Sequence, residues 1–352
     1  MIYYLIILGV IITYPFCNKI IKNKKERIDG ALVYIIFWTI ILILLCGLRR
    51  IDVGRDTMMY SIAYSKMQSR ISWKDALDRY SYIEFGFYFL EFLVSRYFNY
   101  QVFLIICAII SILPVMIVIH RYSENKMISL VLYISFPYYT FSMSGIRQAC
   151  ALGIIMLAYI AVREKKLPMF LIFTFMACLF HTSAVLFLPT YWLDKIPYKK
   201  RTIYLSIVFL LTTFIFRGFL WNIASQFARQ SYSANDAGGR LMYLFMILTI
   251  ILGFYYRKNF VGENEEHKVL LYMQVISAAI WPIASVNSAI ARMYYYHHIF
   301  LILYVPTLIK SIKRRFERLI ISFGYLFVAI YFISTQVLPA TFKFSPYFFF
   351  WQ

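Results

Sequence analysis

Long apolar runs dominate the chain, separated by short basic clusters. The runs cover roughly 2–17, 30–48, 101–119, 127–144, 146–162, 168–193, 202–220, 241–256, 269–286, 293–309 and 319–337. About 20 apolar residues cross a bilayer as a helix, so the pattern predicts an all-α, polytopic integral membrane protein. The clusters between the runs are KIIKNKKER (19–27), HRYSENK (120–126), REKK (163–166), KIPYKKR (195–201), RKNFVGENEEHK (257–268) and KSIKRRFER (310–318). The positive-inside rule places all six in the cytoplasm.

That assignment fixes a parity. Segment 168–193 starts and ends at cytoplasmic clusters, yet two full crossings need about 40 residues. The segment is therefore expected to be a short hairpin or re-entrant pair, broken near Phe180-His181-Thr182. Broken helices at membrane depth are tolerated only where they line a protein cavity. Counting both halves gives about 12 membrane helices with both termini outside. Parity works best if 84–98 lies on or dips into the outer face as an interfacial helix. The chain reads as a single integral membrane domain, 1–352. Its largest extracytoplasmic loop is 49–100, its second is 217–240, and 145–148, 285–292 and 338–352 also lie outside. The start, MIYYLIILGV, lacks a basic leader and reads as an uncleaved first span.

Composition agrees. Residues are 62% hydrophobic and 15% charged, with mean hydropathy +0.68, far from the balance of a soluble domain. The net charge of +20 would suggest nucleic acid in a soluble protein, but no basic soluble domain exists here. The cations mark cytoplasmic loops and are drawn to anionic headgroups. Cys17, Cys46, Cys107, Cys150 and Cys178 sit in or beside apolar runs without a CxxC spacing, so they read as small core residues.

The kind of positive charge differs between the two sides. The expected outside carries Lys66, Lys74 and Lys343 against Arg49, Arg50, Arg55, Arg70, Arg79, Arg96, Arg147, Arg217, Arg229, Arg240 and Arg292. Topology signalling does not distinguish lysine from arginine, whereas recognition of phosphate or carboxylate does. An anionic ligand at the outer face is the favoured reading. Pairing with Asp52, Asp56, Asp75, Asp78, Glu84, Glu91 and Asp236 is the alternative.

Individual residues sharpen this. Asp52, Arg55 and Asp56 lie in DVGRDT, where Gly54 permits a tight turn and Asp56 doubles as a helix cap. Glu84 opens an apolar stretch, where low dielectric suits a general acid or base, or simply a polar first residue. Arg147 and Gln148 start a span from outside in SGIRQACALGI, after the Pro137 bend; snorkelling is the plainer role. His181 sits at the forced break and is a candidate base or hydrogen-bonding ligand. Arg292 precedes Tyr294, Tyr295, Tyr296, His297 and His298. Tyr295 belongs to an aromatic belt or a sugar platform. The adjacent histidines point about 100° apart on a helix, so no metal site is expected.

GRDTMMY, EFGFYFL, SGIRQACALGIIMLAY, FHTSAVLFLP and IARMYYYHHIF occur in that order between about 50 and 310. Together they resemble the EpsG family of bacterial polysaccharide polymerases, similar in role to Wzy-type O-antigen polymerases. The resemblance implies a GT-C-like glycosyltransferase in the cytoplasmic membrane. It also implies en bloc transfer of an oligosaccharide repeat unit between undecaprenyl-diphosphate-linked glycans at the outer face, alongside a flippase and a chain-length regulator. No cofactor is implied. By position it points to Arg55, Asp56, Glu84, Arg147, Gln148, His181 and Arg292.

The independent reading fits. Arg49, Arg50, Arg55, Arg147, Arg240 and Arg292 supply charge for a lipid diphosphate. His181, Glu84 and Asp56 supply the candidate acid–base groups, with His181 favoured as base and Glu84 as a ligand of the acceptor sugar. Two rivals stay open: a membrane O-acyltransferase with an intramembrane histidine, and a transporter or flippase of an anionic lipid-linked glycan.

Overall fold

The computed structural model describes residues 2–20, 29–69, 84–226, 239–262, 266–284, 290–339 and 344–352. Among them the regular structure is helical, with no strand beyond one isolated bridge between Arg49 and Phe349. The outer-loop residues Arg70, Lys74, Asp75, Asp78, Arg79, Arg229, Asp236 and Lys343 lie outside the described residues.

The helices follow the apolar runs. They are α1 (Ile2–Ile20), α2 (Gly30–Gly47), α3 (Thr57–Gln68), α4 (Phe85–Tyr97), α5 (Tyr100–Tyr122), α6 (Lys126–Ser135), α7 (Pro137–Ser144), α8 (Ile146–Arg163) and α9 (Leu167–Phe180), then a 3₁₀ segment (Thr182–Lys195). There follow α10 (Lys200–Ile215), α11 (Arg217–Gln226), α12 (Arg240–Tyr255), α13 (Arg257–Phe260), α14 (His267–Ala284), a 3₁₀ turn (Ile290–Tyr294), α15 (Tyr295–His298), α16 (Leu301–Ser311) and α17 (Arg315–Val337). Four helices, α2, α5, α8 and α17, are long and apolar enough to cross a membrane, and α10 with α11 forms a further pair bent by 72°. Large apolar side chains such as Ile12, Phe37, Val208, Leu211 and Phe327 stand exposed on the helix surfaces, which water would penalise and lipid would not. This is an all-α membrane protein.

The expected single run 127–144 is two helices. Pro137 occupies the first position of α7, and a proline there starts a helix but cannot continue the preceding one. The run 168–193 is broken at His181, whose backbone is extended (φ −159, ψ 116) between α9 and the 3₁₀ segment. At 13 residues, α4 is short of the length needed to cross. It exposes Phe85, Phe89 and Leu93 along one side and buries Phe87, Tyr88, Glu91 and Val94 on the other.

The chain groups into two compact units, Met1–Val185 with Ile321–Gln352, and Leu186–Ile320. In the first, Tyr64, Phe87, Val94, Phe103, Leu104, Cys107, Ile146 and Cys150 form a core joining α3, α4, α5 and α8. Small residues bring the backbones together. A Cβ on Gly153 of α8 would fall 2.1 Å from the Ile110 carbonyl of α5, and one on Gly47 would fall 2.7 Å from Ile105, the close approach typical of helices packed in lipid. The end of the chain folds onto the end of α2: Arg50 donates its amide to Phe348 (3.0 Å) and Phe350 to Leu48 (2.9 Å).

In the second unit α16 is buried along its length apart from Lys310. The Tyr304 hydroxyl donates to the Thr249 carbonyl of α12 at 3.0 Å. His297 is fully buried with Nε2 3.2 Å from the Thr190 hydroxyl.

Candidate active site

The site lies in the first unit, where three separate segments bring an acid, a guanidinium and an imidazole together. Glu84 immediately precedes α4, and its side chain makes no helix-capping bond. Instead Oε2 accepts from Arg147 Nη1 at 2.8 Å, and Oε1 lies 2.8 Å from His181 Nδ1. The Thr182 amide donates more distantly to Oε1, at 3.4 Å. Arg147 stands at the start of α8 and His181 at the end of α9, helices joined in antiparallel fashion by the Glu164–Lys166 turn.

Close packing holds these segments in place. Gly86, two residues beyond Glu84, faces α9: a Cβ there would sit 2.8 Å from Leu179 Cβ and 2.9 Å from the Leu179 carbonyl. Only glycine lets α4 approach so closely, and Leu179 is two residues before His181. On the other side, Gly54 has φ +97, a conformation glycine adopts without strain. A side chain there would meet the Met143 carbonyl at 2.4 Å. Thr57 donates to that same carbonyl (2.9 Å), and the Arg55 amide donates to the Ser144 hydroxyl (3.3 Å). The DVGRDT loop is thereby fastened to the corner that launches α8, three residues from Arg147.

Burial is graded across the site. Glu84 is 8% exposed, while the side chains of Arg147 and His181 are 29% and 28% exposed. The carboxylate is the floor, and its two partners reach the surface. Burial by itself raises the Glu84 carboxyl, but the hydrogen bond and charge of His181 and then the Arg147 guanidinium outweigh it and hold the carboxyl at about 2. An ionised carboxylate only accepts, so His181 Nδ1 must carry a proton and donate it. That leaves Nε2 as the nitrogen turned away from Glu84, free to take a proton when the ring is neutral.

The sequence-derived residues divide by environment. Arg55 is exposed and forms no ion pair among the described residues. Asp56 precedes α3 without a side-chain cap bond. Gln148 is buried on α8. Arg49 and Arg50, expected to bind the anionic ligand, are otherwise engaged. Arg49 is 1% exposed, with its guanidinium on the Cys46 and Met143 carbonyls. Arg50 is clamped in a fork by Asp52 at 2.8 and 2.7 Å and lies over the Phe348 ring. Glu84, expected to touch the acceptor sugar, has both oxygens occupied by protein groups. In the second unit, Arg240 is exposed at the start of α12 and Arg292 is half-buried in the 3₁₀ turn. Tyr295 stands edge-on to Tyr294, with ring centroids 4.7 Å apart.

Sequence reasoning missed Tyr60 and counted Glu91 only among the outer acids available for pairing. Tyr60 of α3 hydrogen-bonds the Arg147 guanidinium; only its place in the GRDTMMY motif hinted at it. Glu91 is buried with Oε1 unpartnered among the described residues, and burial pushes its carboxyl up to about 7. It falls seven residues after Glu84, on the same side of α4, a spacing that could have flagged it. Among the described residues no group of three or more His, Cys, Asp or Glu side chains is placed to hold a metal ion.

No curated protein and no solved structure matches the chain significantly. The family model of the EpsG family matches residues 31–349, nearly the whole length. The chain belongs to the EpsG family, which is associated with polysaccharide polymerases.

Proposed function

We propose that the protein is an inverting polysaccharide polymerase of GT-C-like architecture, with about 12 membrane helices in the bacterial cytoplasmic membrane. It moves an oligosaccharide repeat unit en bloc from one undecaprenyl-diphosphate carrier to the end of another glycan, at the outer face. The product is an O-antigen, capsule or exopolysaccharide chain. The observation that carries this reading is the Arg147–Glu84–His181 constellation, a buried carboxylate orienting a half-exposed imidazole beside a half-exposed guanidinium.

The geometry supports the following roles. Glu84 fixes the His181 ring with Nδ1 protonated and Nε2 outward. Nε2 takes the proton of the acceptor sugar's hydroxyl as its oxygen attacks the anomeric carbon of the donor. The bond from that carbon to the diphosphate breaks, and its electron pair leaves on the lipid diphosphate. Arg147, with Arg55 held at the same corner, stabilises the growing negative charge. Single displacement inverts the anomeric centre. The outer-face location rests on the positive-inside parity, since the α8–α9 turn carrying Arg163, Lys165 and Lys166 is at the far end of those helices from Arg147 and His181. A flippase that delivers the lipid-linked unit and a chain-length regulator are the expected partners.

Deleting the gene tests this. Surface glycans should then run as single repeat units on a gel. The wild-type gene should restore the ladder, and a His181→Ala copy should not. An unchanged ladder after deletion would refute the polymerase reading.

A further inference from the structure

The second unit contains a cleft of about 760 Å³ that plays no part in the chemistry above. Six cations line it: Lys195 from the 3₁₀ segment, Lys199 and Lys200 at the start of α10, Arg257 and Lys258 on α13, and Lys268 at the start of α14. No carboxylate lines it among the described residues. Lysines that only signal topology need to be on the right side of the membrane; they need not converge. These come from separate loops, 195–201 and 257–268, onto one concave space. Lys268 is only 8% exposed, so its charge is set into the wall of the cleft and not on open surface. The Tyr198 hydroxyl, also on the lining, is buried without a partner among the described residues.

The surroundings select among anions. Ile203 lines the cleft. From Ile203 the exposed Ile207 and Leu211 follow at steps of four residues, along the same side of α10. A phosphate in the cleft would have an apolar track running from it into the membrane. Its volume lies in the range of clefts that hold small-molecule ligands. By the positive-inside rule both contributing loops are cytoplasmic, where the leaflet is rich in anionic headgroups.

We propose that this cleft binds the phosphate headgroup of an anionic phospholipid from the cytoplasmic leaflet, with its acyl chains along the exposed side of α10. The site anchors the second unit to the cytoplasmic leaflet. It does not depend on the polymerase reading, because it uses neither Glu84, Arg147 nor His181.

The test uses the full chain purified in detergent and native mass spectrometry. Three probes are added separately: phosphatidylglycerol, phosphatidylcholine and inorganic phosphate. Phosphatidylglycerol should bind at least about tenfold more tightly than phosphatidylcholine, since the cations contribute only to the anionic lipid. Lys199→Gln with Lys258→Gln should weaken it by roughly thirtyfold, at the strength usual for two basic residues against an anionic lipid. Lys313→Gln with Arg315→Gln, which removes equal charge from exposed positions in another loop, should leave it unchanged. Equal losses in both pairs would mean diffuse surface attraction and overturn the site. Displacement of phosphatidylglycerol by millimolar inorganic phosphate would overturn the lipid as its source and leave a soluble phosphate in its place.

Discussion

Replacing Glu84 with glutamine keeps the side chain's shape and removes only its charge and one acceptor. The carboxylate accepts two bonds of 2.8 Å, from Arg147 Nη1 and His181 Nδ1. An amide can satisfy only one of them. If its oxygen faces His181, its NH₂ group confronts the guanidinium, donor against donor. If its oxygen faces Arg147, its NH₂ donates to Nδ1, the ring proton moves to Nε2, and the base is lost. Hydrogen bonds to charged groups contribute about 1.5–3 kcal/mol each, so one lost contact should lower stability by about that much. Turnover should fall further, by about 10³–10⁴, the scale seen when the carboxylate behind a catalytic histidine becomes an amide. The assay is polymerisation of purified lipid-linked repeat unit by purified enzyme, with melting measured on the same sample. Melting against pH provides an internal control. The Glu84 carboxyl sits at about 2 in the folded protein against 4.5 ordinarily. Its stabilisation is therefore complete above pH 4.5 and is lost as pH falls from there towards 2. Wild-type melting should drop more steeply through that window than melting of Glu84→Gln, which has no carboxyl to titrate. Turnover of Glu84→Gln within about threefold of wild type would refute the orienting role, since that ratio is worth well under 1 kcal/mol of transition-state energy.

Gly86→Ala should push α4 away from Leu179 and part Glu84 from His181; an overpacked contact of this kind costs about 1–3 kcal/mol. Most polymer should be lost while circular dichroism still reports a folded helical protein, and full activity would show that this approach does not set the site. Arg147→Lys keeps a positive charge but not the guanidinium's planar set of donors. It should lose most polymer at normal membrane abundance, and full activity would leave only generic charge at that position. Ser69→Cys should label with an impermeant thiol reagent in intact cells, after permeabilisation of any outer membrane, and Glu164→Cys should not. The reverse pattern would invert the topology.

The helices were legible because lipid demands uninterrupted apolar stretches, so the run 146–162 is α8 (Ile146–Arg163) almost to the residue. The break at His181 followed from arithmetic alone: 26 residues between two basic clusters could not make two crossings. Glu84, Arg147 and His181 could each be singled out as ionisable groups entering apolar segments. Their mutual contact could not be read, because it depends on Gly86 meeting Leu179, 93 positions away. The same limit explains Arg49 and Arg50. They are neighbours of one type in one loop, yet one turns inward to the Cys46 and Met143 carbonyls and the other outward to Asp52. Loop backbone, not residue type, decides which, and no period in the sequence encodes it. At the mouth of an apolar stretch Glu84 reads as an acid–base group or a sugar ligand; which groups its two oxygens meet is set by where α8 and α9 lie.

Reconstitution of the purified protein with undecaprenyl-diphosphate-linked repeat unit and no other enzyme tests the central claim most directly. The wild type should yield a ladder rising in whole repeat units, with one undecaprenyl diphosphate released for each bond formed, and His181→Ala should be slower by about 10²–10⁴. A ladder made equally well by His181→Ala, or no ladder from active wild-type membranes supplied with this substrate, would contradict it.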